Sequence, residues 1–566
     1  MERTLRWLAR CYPWDADASD DLDRALGFLG WDLAAETVVR AGYGAALWCV
    51  PVVVFAAALA PTGLDQFVGV AGLGVILGVV HGVHVAPRVL ATARRTRALG
   101  AAPALVSRAV LRMRITPAVE TAATFAADTG DGPLAASLGE HVRRAAGTPR
   151  TGLGSFTEEW RTWFPAVRRS LLLVESAGRA PAGERERTLA RALEAVLDGA
   201  RDRMAEFANS LQGPATALYA FGVLLPLALV ALLPATRAAG VSVPLPVVVL
   251  LYDLLLPGVV LAASCWLLVR RPVTFPPPRV GRDHPALPAR RWPPYVAGLL
   301  VGCGGAVVAA RFVAAWTWPL VAVGGFGGTA LVGRYRPVKG VRDRVRAVEE
   351  GLPDALYHIG RRVSEGRAVE AAIESAAEEV PDATGEVLAD AARQQRQLKV
   401  SVREAFLGDR GALATVPSTR ARSTATLLAL AAREGRPAGE AIVAMADHLD
   451  ELAAVERDAR HEIGTVTSTL ANTASVFAPM VAGATVALAD GMAFSGRLAA
   501  TGGPTTGELG LAVGAYVLVL AVLLATLATG LARGLDRALV GYRVGWALLV
   551  ATATFVATFH AVGLFV

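Results

Sequence analysis

Residues 509–532 read LGLAVGAYVLVLAVLLATLATGLA, a stretch without a single charged side chain. As an α-helix this stretch would be about 36 Å long, which is enough to cross the ~30 Å hydrocarbon core of a bilayer. Eight further stretches have a similar apolar character. The nine predicted spans are 43–61, 66–87, 215–234, 244–269, 294–312, 315–333, 471–489, 509–532 and 544–565. The sequence therefore predicts an all-α, polytopic helical membrane protein.

The composition of the 566-residue chain points the same way. Hydrophobic residues make up 54% of the chain, charged residues 19%, and the mean hydropathy is +0.44. Soluble globular domains carry about 25% charged residues, so an ordinary soluble enzyme is excluded. The four cysteines lie far apart and form no CxxC pair, which argues against a disulfide scaffold or a cysteine-rich zinc site.

Basic residues are distributed unevenly between the predicted spans. If the N-terminus is cytoplasmic, 53 of the 56 lysines and arginines fall in cytoplasmic segments. The remaining three are Arg237, Arg311 and Arg497. The short arginine-rich loops 270–293 and 533–543 favour the same orientation, because short cytoplasmic loops carry the positive excess. We therefore expect a multi-pass cell-membrane protein with a cytoplasmic N-terminus and an extracytoplasmic C-terminus.

Two segments between the spans are long enough to be domains. In 441–456 the apolar residues Ile442, Met445, Ala446, Leu449 and Leu452 fall on one helical stripe, and neither segment has an alternating strand pattern. Both are therefore predicted to be cytoplasmic helical bundles. The predicted organisation is a cytoplasmic segment at 1–42, two spans in 43–87, a helical domain at 88–214, four spans in 215–333, a second helical domain at 334–470 and three spans in 471–566.

The two helical segments also resemble each other in sequence. AVETAA at 118–123 matches AVEAAI at 368–373 with an offset of 250 residues. GRAPAGE at 178–184 matches GRPAGE at 435–440 with an offset of 257, then 256 after a one-residue gap. Each match is followed by an apolar span with an internal proline, Pro226 or Pro479. Two matches in the same order favour a duplicated unit.

The second helical segment resembles a known family. GLPDAL at 351–356, SEGRAVEAA at 364–372 and REGRPAGEA at 433–441 are similar to motifs of the type II secretion F domain. That domain belongs to the inner-membrane platform proteins of type II secretion systems, type IV pili and archaella. Two such domains with about nine spans look most like the archaeal platform proteins of pili or the archaellum.

The resemblance implies a non-catalytic role in assembly. Such platforms lie beneath a filament of pilin-like subunits, and their cytoplasmic domains contact a hexameric secretion ATPase. A homodimer is compatible with the family. Which filament or secretion machine is served stays open.

Motif searches find no catalytic signature and no cofactor site. A phosphate-binding P-loop needs a lysine followed by serine or threonine, but Lys339 precedes Gly340 and Lys399 precedes Val400. HExxH and GxSxG are both missing from the sequence. We therefore expect the chain not to be an enzyme and to take its energy from a partner or an ion gradient.

Ionisable residues within spans support a rival hypothesis. Asp253 lies near the middle of its span, four residues before Pro257. Such a carboxylate could form a proton or cation site in a transporter or channel, or it could face another helix as a structural group. His81 and His84 share one helix face and could in principle bind metal, although interfacial histidines without metal are far commoner.

Two further surfaces have competing interpretations. Arg393, Arg396, Lys399 and Arg403 stand at three- and four-residue spacings, which predicts one basic stripe on a helix. This stripe is the candidate ATPase-docking surface, and an ordinary solvated face is the alternative. Nucleic-acid binding is excluded because no aromatic residues are interleaved with these cations.

The glycine-rich stretches 302–305 and 324–328 allow close helix approach within one chain or in a dimer.

Overall fold

The structure is a computed structural model in which every regular element of the described part of the chain is a helix, so the predicted all-α fold is confirmed. The described residues are 2–59, 65–130, 132–148, 151–161, 164–226, 228–230, 232, 243–271, 280–281, 284–434, 437–494 and 505–565. Nine helices within these ranges are long and apolar enough to cross a membrane. This confirms the predicted number of spans.

The helices of the N-terminal half comprise two short helices, a hairpin of two long helices and a series of six helices that precedes the fourth span. Their bounds are α1 Glu2–Arg10, α2 Asp20–Leu29, α3 Ala35–Leu59, α4 Asp65–Gly100, α5 Ala102–Ile115, α6 Val119–Thr129, α7 Pro133–Ala145, α8 Gly152–Glu159, α9 Pro165–Ala177, α10 Ala182–Tyr219 and α11 Leu245–Arg270.

The helices of the C-terminal half follow the same order and end with one additional span. Their bounds are α12 Pro293–Phe312, α13 Trp318–Glu350, α14 Leu352–Ser364, α15 Val369–Glu379, α16 Asp382–Leu398, α17 Val402–Leu407, α18 Thr419–Glu434, α19 Pro437–Asn472, α20 Ala478–Phe494, α21 Thr506–Arg533 and α22 Arg537–Gly563.

One helix begins before its predicted span, and the predicted junction between the fifth and sixth spans is confirmed. Helix α3 begins at Ala35, so the last part of the predicted N-terminal segment 1–42 is already helical. Residues 35–42 escaped prediction because Glu36 and Arg40 interrupt the apolar run. The fifth and sixth spans are joined by the 3₁₀ turn Ala315–Thr317 with almost no loop, as the sequence suggested.

The α3–α4 hairpin presents apolar side chains outward. Val52, Phe55 and Val70 are 67%, 66% and 69% exposed within the chain. A soluble protein does not expose a continuous apolar surface of this kind. In a bilayer these side chains contact acyl chains, so the hairpin fits the predicted pair of spans.

Helices α5–α10 and α14–α19 form two series with parallel order. In each series five shorter helices precede one long helix, and the second helices, α6 and α15, both contain 11 residues. The long helices α10 and α19 contain 38 and 36 residues. Each long helix leads into a span through one turn of π-helix, at Ala220–Leu224 and Thr473–Phe477.

One apolar core runs through both series. Its buried residues include Leu105, Phe156 and Leu197 from the first series and Ile359 and Ile373 from the second. The predicted stripe on α19 contributes to this core, since its members are only 3–8% exposed; they are Ile442, Met445, Ala446, Leu449 and Leu452. Because the core is shared, the two series pack against each other.

Glycines set the close packing of helices α12, α13 and α22. A Cβ atom at Gly302 would lie 2.8 Å from the carbonyl oxygen of Ala322, and one at Gly545 would lie 2.8 Å from that of Gly328. Only glycine permits such approaches between helix backbones. The glycine-rich stretches therefore serve packing within one chain, which was the first of the two predicted uses. Gly304, by contrast, has open space around it.

Some residues used in the sequence-based predictions lie outside the described residues. They include Arg237, Gly435, Arg436 and Arg497, residues 60–61, 227, 231 and 233–234 of the predicted spans, and residues 272–279 and 282–283 of the loop 270–293.

Candidate functional site

The four cations of the predicted docking stripe do not lie on one helix. Helix α16 ends at Leu398, and Lys399 adopts a left-handed conformation with φ of 54°. Arg403 belongs to the next helix, α17, whose first turn is capped by the Ser401 side chain. The prediction of a single helical stripe is therefore wrong, because spacing alone does not register where a helix ends.

All four side chains are nevertheless exposed, and only two have acidic partners. Arg393 forms an ion pair with Asp390 at 2.9 Å, and Arg396 pairs with Glu374 of α15. Lys399 and Arg403 form no ion pair with any described residue. The charge available to a partner thus comes from Lys399 and Arg403, beside the 66% exposed side chain of Leu398.

Among the described residues, three π-helical turns lie in or beside the candidate spans, and each precedes a proline. The turns Ala220–Leu224, Leu250–Leu255 and Thr473–Phe477 end two residues before Pro226, Pro257 and Pro479. Proline has no N–H group, and its ring clashes with the carbonyl of residue i−4. Widening the preceding turn relieves the clash, and π turns of this kind are frequent at functional sites.

Two tyrosines bond to carbonyls of the first interrupted helix. The hydroxyl group of Tyr516 on α21 donates to the carbonyl of Gly222, which Pro226 leaves without its α-helical donor. The hydroxyl group of Tyr252 on α11 donates to the Pro226 carbonyl at 2.8 Å. The two rings meet edge to face with centroids 5.7 Å apart. One tyrosine from each half of the chain thus donates a hydrogen bond to the segment Gly222–Pro226, where the helix is interrupted.

Asp253 lies in the π turn of α11, four residues before Pro257. One carboxylate oxygen is buried and has no hydrogen-bond partner among the described residues. A buried polar atom without a partner is costly in an apolar environment and marks a candidate binding group. The sequence identified Asp253 but gave no sign of the tyrosine pair, because tyrosines within apolar spans are unremarkable by spacing.

The histidine pair of α4 does not converge on one point. A ring nitrogen of His84 lies 3.0 Å from the carbonyl oxygen of Val39, and the ring packs against Gly42. The side chain of His81 is exposed. Within the described ranges, no group of three or more His, Cys, Asp or Glu side chains could hold a metal ion.

Two polar contacts join the first helical series to the second. Arg108 of α5 donates to Ser423 of α18 at 3.1 Å, and Arg201 of α10 pairs with Glu451 of α19 at 3.6 Å. A small apolar cavity lies at this junction between α5, α14, α18 and α19. Its lining includes Leu111, Ile115, Leu356, Thr424, Leu427, Leu428, Ala431, Ala441, Ile442 and Met445.

His448 lies buried at the same junction. Its side chain is 4% exposed, and neither ring nitrogen has a hydrogen-bond partner among the described residues. Burial, followed by repulsion from Arg114 and Arg420, lowers the pKa of His448 to about 4. The imidazole is therefore neutral at physiological pH. The sequence gave no signal for this role, because His448 stands between Asp447 and Leu449 without a motif around it.

Comparison with known proteins identifies no relative of this chain: no family model, no curated protein and no solved structure matches it.

Proposed function

We propose that this chain is the membrane platform of a type IV pilus-like filament or archaellum, of the type II secretion F domain family. In this role it couples a hexameric secretion ATPase in the cytoplasm to pilin-like subunits in the bilayer. The observation that carries the proposal is the pairing of two helical series, each followed by a long helix that continues through a π turn into a span.

A duplication accounts for this order of elements. From the hairpin of spans onward, α3–α4 or α12–α13, each half continues into six helices, the last of which leads into a span, and then adds one more span, α11 or α21. The prolines Pro226 and Pro479 follow their π turns at the same distance in both halves. Matching lengths, order and breaks support a duplicated platform unit, with α22 as an added ninth span. Transporters with repeats place the duplication in the spans themselves, whereas here it includes the helical series.

The long helices offer a mechanical route for coupling. Helices α10 and α19 contribute residues of their N-terminal halves, such as Leu189 and Ile442, to the shared core of the helical series, and both helices end at π turns. A displacement of the helical series would therefore be transmitted along α10 and α19 to their π turns, where the regular α-helical hydrogen bonding is interrupted. The sequence contains no P-loop, so the displacement is supplied by the partner ATPase.

Lys399 and Arg403 are the proposed centre of the ATPase-docking surface. Both cations are exposed and unpaired within the described chain, and Leu398 beside them adds an exposed apolar contact. Exposed cations of this kind steer an acidic partner, and reversing their charge places like charges opposite each other, which costs several kcal/mol. In the proposed topology both helical series are cytoplasmic, where the ATPase is found.

Co-purification from native membranes tests the proposal. The full-length protein, solubilised in mild detergent, is expected to retain a secretion-type ATPase and pilin-like subunits, identified by mass spectrometry. The double variant Lys399→Glu/Arg403→Glu is expected to lose at least about tenfold of the bound ATPase, since two attractive charges become repulsive. Arg367→Glu is the matched control, because Arg367 is also exposed and unpaired among the described residues.

The second candidate function is an ion-coupled transporter or channel centred on Asp253. The unpartnered carboxylate oxygen favours it. Under the platform proposal Asp253→Asn leaves filament assembly intact, because the amide keeps the shape of the side chain. Loss of filaments in this variant, at normal protein levels in the membrane, would support an ion-coupled mechanism instead. Neither proposal involves nucleic acid or a cofactor.

A further inference from the structure

The N-terminal helix α1 lies against the span helix α3. Gly44 of α3 permits the close approach, because a side chain at this position would collide with the carbonyl oxygen of Leu8. Arg40 of α3 donates from Nε to the carbonyl of Tyr12, just beyond the end of α1, at 3.1 Å. Since residues 40 and 44 are one helical turn apart, α1 meets α3 at a single level.

Aromatic side chains gather at this level. Trp7 of α1 stacks on Trp48 of α3 with ring centroids 5.8 Å apart. The ring of Tyr12 lies 5.0 Å from that of Tyr43 and 5.0 Å from that of Trp14. All three tryptophans are more than half exposed. Tryptophan and tyrosine are enriched where a membrane meets water, because each has an apolar ring and one polar group.

The apolar stretches of α3 and α4 end at the same level. From Leu47 to Leu59, α3 has no charged residue and most of its side chains are exposed, as expected of a surface that contacts acyl chains. On α4 the His84 ring meets Tyr43 edge to face with centroids 5.2 Å apart. Arg88, one turn further, is the first arginine or lysine of α4. Helix α1 therefore meets α3 where lipid-facing turns give way to water-facing turns.

Helix α1 also presents a basic face. Arg3, Arg6 and Arg10 recur at three- and four-residue spacing, and all three side chains are exposed. Arg6 pairs with Asp32 at 3.8 Å, whereas Arg3 and Arg10 form no ion pair with any described residue. Because Glu2 is the single acid of α1, the helix carries a net positive charge.

The opposite face of α1 is packed inward. Leu5 and Leu8 are partly buried, and Ala9 is buried. A helix with arginines on one face and leucine and tryptophan on the remainder has the composition of helices that lie in the plane of a membrane interface.

We propose that α1 is an interfacial helix that docks onto the surface of an anionic phospholipid bilayer. Its basic face binds lipid phosphates through Arg3 and Arg10, since a guanidinium group presents paired donors that match a phosphate group. The exposed tryptophans lie among the headgroups. The partner is a bilayer surface and not a protein, because these tryptophans continue the exposed apolar surface of α3, one of the candidate spans.

Hydrogen–deuterium exchange of the full-length protein in nanodiscs tests this docking, because exchange in a helix that opens locally reports how firmly the helix is held. Peptides that cover Glu2–Arg10 are followed by mass spectrometry in nanodiscs of dioleoylphosphatidylcholine, with or without dioleoylphosphatidylglycerol. Wild-type α1 is expected to exchange more slowly when phosphatidylglycerol is present. In these anionic nanodiscs Arg3→Gln/Arg10→Gln is expected to exchange about 25-fold faster than wild type, about fivefold for each basic side chain at an anionic surface. In neutral nanodiscs the two proteins should exchange alike.

The matched control is Arg24→Gln, because Arg24 is an exposed arginine of the same N-terminal segment that is already paired with Asp21. This variant is expected to exchange as wild type in α1. Exchange in α22 reports whether each variant is folded. If the double variant does not fold, Arg3→Gln and Arg10→Gln are measured singly, and each is expected to show the fivefold effect of about one basic side chain.

Three results would overturn the proposal. One is equal exchange of wild-type α1 in the two kinds of nanodisc, which is the outcome if α1 is held by its packing on α3 alone. Another is wild-type exchange of the arginine variants in anionic nanodiscs. The third is equal exchange in both kinds of nanodisc together with slower exchange in native membranes, which would assign α1 to a protein partner.

Discussion

Acidification is expected to weaken the packing between the two helical series through His448. The folded protein holds this imidazole neutral, with a pKa of about 4, whereas the unfolded chain protonates it near the ordinary value of 6.5. The folded pKa is the lower one, so its contribution to stability is complete above pH 6.5 and is lost as the pH falls toward 4. Linkage between these two pKa values gives a loss of about 2 kcal/mol between pH 7.5 and pH 5.

The variant His448→Leu removes the titrating group and keeps an apolar side chain of similar size. The full-length protein in detergent is equilibrated in urea, and the folded fraction of the helical series is measured by a short pulse of protease at pH 7.5 and at pH 5. His448→Leu is expected to lose about 2 kcal/mol less than the wild-type protein between these pH values. His461→Gln, an exposed histidine on the same helix, serves as the control. An equal acid loss in His448→Leu and the wild-type protein would refute the reasoning.

Two further predictions concern the membrane part of the chain. Tyr516→Phe leaves the Gly222 carbonyl without its donor and is expected to cost about 1–3 kcal/mol, the usual penalty for an unpaired buried group. Its thermal midpoint in detergent should fall below those of the wild-type protein and of Tyr219→Phe, whose hydroxyl group bonds to no described residue; equal midpoints would contradict the role of this bond. Gly545→Leu is expected to abolish the close packing of α22 on α13 and to reduce the yield of monodisperse protein. Gly304→Leu, in open space, should behave as wild type, and a normal yield of Gly545→Leu would count against close backbone packing.

Long-range periodicity made most of the fold predictable. Apolar runs of more than 18 residues have few alternatives to a membrane span, and the stripe from Ile442 to Leu452 could only be the buried face of a helix. The positions at which helices end were harder to predict. Lys399 ends α16 in a left-handed conformation that no local rule assigns to lysine, so the basic residues were placed on one helix when they occupy two.

The candidate sites were harder to predict from the sequence than the helices, because they depend on tertiary packing. Pro226 and Pro479 were recognised only as matching prolines of the repeat, and the donor to the Gly222 carbonyl comes from Tyr516, almost 300 residues away in sequence. The environment of His448 arises in the same way, because only the fold brings Arg114 and Arg420 near it. Asp253 was found from the sequence because an acid within an apolar run stands out without any partner.

Electron microscopy of cells that lack this chain tests the central claim most directly. The platform proposal predicts that surface filaments disappear and that the full-length wild-type protein restores them. It also predicts that the Lys399→Glu/Arg403→Glu variant, present at normal membrane levels, fails to restore them, whereas Arg367→Glu and Asp253→Asn succeed. Normal filaments in cells without the chain would contradict the account.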